Sequence, residues 1–114
     1  MDPGLRKHVR VPAKLPCDVL AEARRVQAQL LDLSLGGAML ELGLEAWPPV
    51  GSTLELAVVL NGQSMTLASV VVRWAGEGKV GVAFQGLGRV GEASLARFVQ
   101  QQERKILRTH LHLQ

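Results

Sequence analysis

Two arginines four apart, Arg6 and Arg10, stand ahead of the first strand-like segment. Each guanidinium is a permanently charged planar fork. It pairs bidentately with a phosphate or with the O6 and N7 edge of guanine, and its flat face can stack on a base. One strand pair later comes Asp32-Leu33-Ser34-Leu35-Gly36-Gly37. Asp32 offers a carboxylate able to accept from the N1 and N2 edge of guanine, and Ser34 a hydroxyl that both donates and accepts. Gly36 and Gly37 leave the backbone open to close approach. Taken singly, each piece has an ordinary explanation: a solvated basic terminus, and an Asx or Ser turn in which glycine supplies positive φ. Taken together, they supply cationic forks and base-edge acceptors, the combination that a guanine nucleotide demands.

Other chemistries lack their residues. There is no Ser-His-Asp order, no paired-carboxylate spacing and no Gly-Lys-Ser/Thr phosphate loop, so the sequence makes no case for an enzyme. Cys17 is the single cysteine, which excludes an internal disulfide and a Cys-rich metal site. His110 and His112 sit at the chain's end without a third ligand nearby in sequence and read as terminus. No metal or cofactor is expected.

The charge is unevenly placed. Arg6, Lys7, Arg10 and Lys14 face only Asp2 within the first fourteen residues, while the other nine basic and nine acidic residues cancel, so the net +3 resides in the arm. A basic arm on a neutral body fits a compact anionic ligand better than duplex nucleic acid, which calls for many phosphate contacts. Aromatic residues make up 4 % with no Tyr, too few for a single-strand stacking platform. The start lacks a signal-peptide pattern and no apolar run nears the ~20 residues of a membrane span. A cytoplasmic protein without membrane insertion is expected.

At 114 residues the chain fits one domain. We divide it into a basic arm, 1–12, and a body, 13–114. Apolar residues recur with period two. Leu15, Cys17 and Val19 mark a first strand, which Pro12 and Pro16 make either an edge or irregular. Glu22-Ala23-Arg24-Arg25 reads as a solvated connection, Val26 to Leu31 as the second strand and Ala38 to Leu42 as the third. Gly43, Pro48, Pro49 and Gly51 mark a loop that Trp47 tucks onto the body. Thr53 to Leu60 and Gln63 to Trp74 flank Asn61-Gly62, the signature of a two-residue type I′ hairpin. Gly76-Glu77-Gly78 turns into a last strand ending at Phe84. Leu95, Phe98, Val99 and Ile106 then share one face of a helix of about four turns. Six short strands that must cover one face and protect their edges close most economically into an antiparallel barrel. Trp74 and Phe84 are assigned to packing, with Trp74 also placed beside the candidate site.

Arg-x-x-x-Arg followed by Asp-x-Ser-x-x-Gly resembles the two-part signature of PilZ domains, with Arg6, Arg10, Asp32, Ser34 and Gly37 filling every position. Val50-Gly51, the strand end at Arg73-Trp74, and Gly81-Val82-Ala83-Phe84 are similar to later parts of that family. The resemblance implies a mainly β fold, a six-stranded antiparallel PilZ-type barrel with a C-terminal helix. It also implies a non-catalytic receptor that holds cyclic di-GMP between the arm and the barrel and signals to an unidentified protein partner. Arg6 and Arg10 would meet phosphates and guanines, Asp32 and Ser34 guanine edges, and Gly36 and Gly37 would shape the approach. Leu5, Lys7, His8, Val9 and Trp74 are further candidates for contact. Many members carry another Arg where this chain has Leu5, which favours one ligand per protomer. The alternative is a PilZ-like adaptor that does not bind the messenger. A monomer or weak homodimer is expected, with no specific nucleic acid as partner.

Overall fold

The computed structural model describes residues 9–42 and 49–112. Leu5, Arg6, Lys7, His8 and Trp47 lie outside the described residues. The strands are β1 (Val11–Ala21), β2 (Arg24–Leu33), β3 (Gly37–Leu42), β4 (Thr53–Leu60), β5 (Gln63–Gly76) and β6 (Lys79–Ala83), followed by the helix α1 (Gly88–His112). The strands are antiparallel and form a closed barrel in the order β1-β2-β3-β6-β5-β4, with β4 returning to β1. Closure lets every strand bury its apolar alternate residues: Leu40 and Leu42 of β3, Leu54, Leu56, Val58 and Leu60 of β4, Val80 and Val82 of β6 all face the interior.

Turn chemistry sets the register. Asn61 and Gly62 both have positive φ, and Leu60 pairs with Gln63, as a type I′ hairpin requires. Glu77 and Gly78 repeat the arrangement between β5 and β6. The β1–β2 connection is shorter than the sequence indicates. Glu22 and Ala23 alone make the turn, both at positive φ, and Ala21 pairs directly with Arg24. Arg24 and Arg25 therefore belong to β2, and the Arg25 guanidinium reaches the Asp18 carboxylate across the hairpin at 3.7 Å. The prolines of β1 act as expected. Pro12 and Pro16 lie in the half that pairs only with β2, the ladder to β4 beginning at Cys17, and the register slips between Pro12 and Leu15, where Lys14 has φ 51°.

The helix differs most from expectation. It runs for 25 residues, not about four turns. Leu95, Phe98 and Val99 are buried against the barrel, whereas Ile106, on the same stripe, is 47 % exposed and Leu107 is 60 % exposed. The reason is local propensity. After Gly91 there is no Gly or Pro, and Gln, Glu, Arg, Lys and Leu sustain the helix beyond its buried residues Leu95, Phe98 and Val99. Among the described residues no helix is long and apolar enough to cross a membrane.

Cys17 points into the core of β1. Burial, with the Asp18 charge second, pushes its thiol from 9.0 up to about 11. The folded state thus holds this proton more tightly than the unfolded chain does. Stability present below about pH 9 should decline as the pH rises through about 11. At pH 8 a disulfide reagent should label Cys17 only as fast as the barrel opens. Prompt labelling of the native protein would show that the thiol is accessible.

Candidate functional site

Regular alternation would place Asp32 inside the barrel together with Leu30, and Trp74 inside together with Val72. Two bulges prevent this. Between β2 and β3 the register passes from Leu30↔Leu40 to Asp32↔Met39, leaving Leu31 as the extra residue. Between β5 and β6 it passes from Val72↔Val82 to Trp74↔Gly81, leaving Arg73 extra. Each bulge reverses the facing of the residues beyond it, so Leu33 enters the core while Asp32 turns outward, and Arg73 and Trp74 are both exposed. The outward residues form one lateral row, Pro12, Asp32, Met39, Gly81 and Trp74, across five strands. Three strand spacings of ~4.8 Å separate Asp32 from Trp74 along it, roughly 14 Å.

Arg10 stands one residue before β1. Its Nη1 donates to Asp32 Oδ1 at 2.9 Å, with the two side chains 32 % and 30 % exposed. The same oxygen accepts the Met39 N–H at 3.1 Å, filling the ladder position that the β2 bulge disturbs. Oδ2 takes no hydrogen bond from a described residue. Asp32 is therefore fixed by the fold and in turn holds Arg10, whose other N–H groups make no hydrogen bond to a described residue.

Ser34 is turned inward and is 4 % exposed. Its Oγ accepts the N–H groups of Gly36 at 3.2 Å and Gly37 at 3.1 Å and donates to the Gly37 carbonyl at 3.3 Å. The Ser34 N–H closes the turn on that carbonyl at 2.9 Å, and Phe84 N–H ties β6 to Gly36 O at 2.9 Å. Ser34 is placed to organise the turn, and the glycine N–H groups point at its hydroxyl. Neither Gly36 nor Gly37 has positive φ, so freedom of φ is not what the turn asks of them. Gly37 is required by crowding, since a Cβ there would lie 2.1 Å from the Val82 carbonyl oxygen.

Arg10, Ser34, Gly36 and Gly37 border one side of a cavity of about 340 Å³ and Arg73 and Trp74 the other, while Asp32 holds Arg10 from outside the lining. Its floor is the Met39–Gly81 stretch. The Trp74 side chain lies against Gly76 and Gly81, its ring 3.5 Å from where a Cβ would stand at Gly76 and 3.9 Å from where one would stand at Gly81, and it is 47 % exposed. Small residues beneath the indole let it lie against the barrel and present surface to solvent. Trp74 thus lines the cavity, while Phe84 packs against the core. Val9 is exposed at the end of the arm and does not line the cavity. Of the charged residues that line the cavity, Arg10 belongs to the motif and Arg73 does not. A larger groove of about 890 Å³, lined by Gln27, Gln29, Glu41 and Thr66 among others, holds none of the candidate residues.

The sequence matches the family described as PilZ domain over residues 4–101. The chain belongs to the PilZ domain family. The barrel also superimposes on solved PilZ structures. The PilZ domain of CeSA from a cellulose-synthesizing bacterium is 26 % identical with a TM-score of 0.70, over 83 % of this chain and 98 % of that one. YcgR from Escherichia coli in complex with c-di-GMP is 20 % identical with a TM-score of 0.74, covering 96 % of this chain and 50 % of that protein. The Bacillus subtilis inhibitor of motility is 20 % identical with a TM-score of 0.73, covering 88 % and 52 %. The latter two likenesses show the fold alone. No curated protein sequence matches the chain significantly. For this PilZ domain, the closed barrel and the terminal helix agree with what the motif implied.

Proposed function

We propose that this PilZ domain is a non-catalytic receptor for cyclic di-GMP, bound across the outer row of the barrel and clasped by the arm. The Arg10–Asp32 pair carries this reading: a cationic fork is held at the rim of a cavity by a carboxylate that itself retains acceptor capacity. Arg10 meets a phosphate or a guanine Hoogsteen edge, Asp32 takes guanine donors, and Trp74 offers a stacking face. Ser34, Gly36 and Gly37 support the site by holding the turn. Arg6, with Leu5, Lys7, His8 and Val9 around it, closes over the ligand from the arm. Folding the arm across the barrel creates or masks a surface for a partner protein, and so transmits the signal. Leu5 favours a single ligand per protomer. The protein works in the cytoplasm, as a monomer or weak homodimer.

Isothermal titration with cyclic di-GMP, GMP and cyclic di-AMP tests this. Micromolar or tighter binding of cyclic di-GMP alone, with a stoichiometry near one, is expected. No binding would turn the domain into an adaptor that works by protein contact, and a stoichiometry near two would remove the role given to Leu5.

A further inference from the structure

The second half of α1 offers a surface of its own. Val99 is the last of its buried residues, and from there to His112 the helix runs on for roughly 20 Å. Leu95, Phe98 and Val99 mark the side that meets the barrel. Successive residues of a helix turn by ~100°, so Arg97, Arg104 and Arg108 fall in one row on the opposite side. Leu107 stands beside that row and is 60 % exposed. All three arginines are exposed, and none is ion-paired with the carboxylate of a described residue. Residues 97–112 hold Arg97, Arg104, Lys105 and Arg108 against the single acid Glu103, which makes a second basic pole besides the arm.

We propose that this outer face of α1 adsorbs to an anionic lipid surface, with the arginines among the headgroups and Leu107 dipping below them. The assignment goes beyond the cyclic di-GMP reading and does not depend on it. Charge selects the occupant. A second copy would set one arginine row against another, and the stripe of Leu95, Val99 and Ile106 that a helix pair would extend is interrupted by Gln102 and Thr109. A nucleic acid would engage the arginines and leave Leu107 without a role. A groove on an acidic protein would call for apolar anchors repeated at i, i+3 or i+4 and i+7, and the arginines hold those positions on this face. An anionic bilayer uses both kinds of residue and demands no shape beyond a polar helix with basic and apolar groups on one accessible side. The helix is not apolar enough to cross, so it lies in the plane of the interface, where the arginine stems rest on the apolar boundary.

The test is cosedimentation of the full chain with vesicles of phosphatidylcholine alone and of phosphatidylcholine mixed with phosphatidylglycerol, at low and high salt, with thermal melting as a control for folding. The parent should pellet with the mixed vesicles only, and high salt should release it. Arg104→Gln/Arg108→Gln should partition roughly ten- to thirtyfold more weakly, as two basic residues lifted from an anionic surface would. Leu107→Gln should weaken it several-fold without any change of charge. Arg24→Gln/Lys79→Gln removes the same charge from exposed positions on the barrel and should bind as the parent does. Melting temperatures should not move, and cyclic di-GMP titrations of the helix variants should match the parent's. If the parent ignores the mixed vesicles, the lipid assignment is wrong and an acidic protein becomes the occupant to seek. If the barrel and helix double variants lose binding equally, net charge alone acts and the face has no part in it. If Arg6→Gln/Lys7→Gln abolishes binding while the helix variants keep it, the arm is the membrane contact and the proposal falls. None of these results bears on whether the barrel takes the messenger, which titration decides separately.

Discussion

Gly37→Ala should lower the melting temperature by roughly 10–15 °C, corresponding to about 3 kcal/mol for a domain of this size. The added methyl would stand 2.1 Å from the Val82 carbonyl oxygen, with the carbonyl carbon at 3.2 Å and the Ala83 Cα at 3.3 Å. All three are backbone atoms of β6, so no side chain can swing aside. Relief must come from parting β3 and β6 at the Gly37↔Ala83 pair, where the barrel seam begins. That seam also carries the Phe84 N–H to Gly36 bond and the closure of the Ser34 turn. Thermal and urea denaturation read the loss directly. Because Gly37 acts through the seam, any weakening of ligand binding in this variant should track its instability and be relieved at low temperature. An unchanged melting temperature would mean that the seam can widen at no cost and that Gly37 matters for the ligand alone.

The same seam shows what the sequence made legible and what it hid. Period-two alternation locates all six strands because the barrel interior is filled chiefly by Val and Leu at alternate positions, as in Leu54, Leu56, Val58 and Leu60. The hairpin at Asn61-Gly62 is legible from its need for positive φ. The bulges are not legible by alternation, since a strict period places Asp32 with Leu30 and Trp74 with Val72, both inside. A volume argument could find the second one. An interior filled by Val and Leu has no space for an indole, so Trp74 has to turn outward, and only an extra residue before it achieves that. Arg73 would then join the candidates. The motif identifies Ser34 and Gly37 by position, yet the hydrogen bonds of Ser34 within the turn, and for Gly37 the crowding by β6, remote in sequence, decide what each does. The helix exceeds its expected length because an apolar stripe marks only the part that meets the barrel, while the second half persists on propensity without a surface to cover.

Arg10→Ala should weaken cyclic di-GMP binding by about 2–5 kcal/mol, roughly thirty- to several thousandfold, while barely changing stability. The two effects separate because they draw on different surroundings. In the free protein the Arg10–Asp32 pair is about a third exposed on each side, and such pairs contribute less than about 1 kcal/mol to folding. Once a dianion with two guanines covers the row, both charges lose water and their interactions strengthen. Removing the guanidinium then deletes a phosphate or guanine contact and also leaves the Asp32 carboxylate facing a ligand of like charge. Asp32→Ala removes a base-edge acceptor, strips the Met39 N–H of its partner and leaves Arg10 unheld. In Arg10→Ala/Asp32→Ala the uncompensated carboxylate is gone, so the double variant should lose less than the sum of the single losses, with a coupling of about 1–3 kcal/mol. Calorimetry on the four proteins measures that coupling, and melting curves on the same samples give the stability side. A large binding coupling beside a melting shift of only a few degrees identifies a pair held for the ligand. If Arg10→Ala instead melts many degrees lower and binds as the parent does, the pair is a structural clasp between the arm and β2, and the messenger must be sought elsewhere on the barrel.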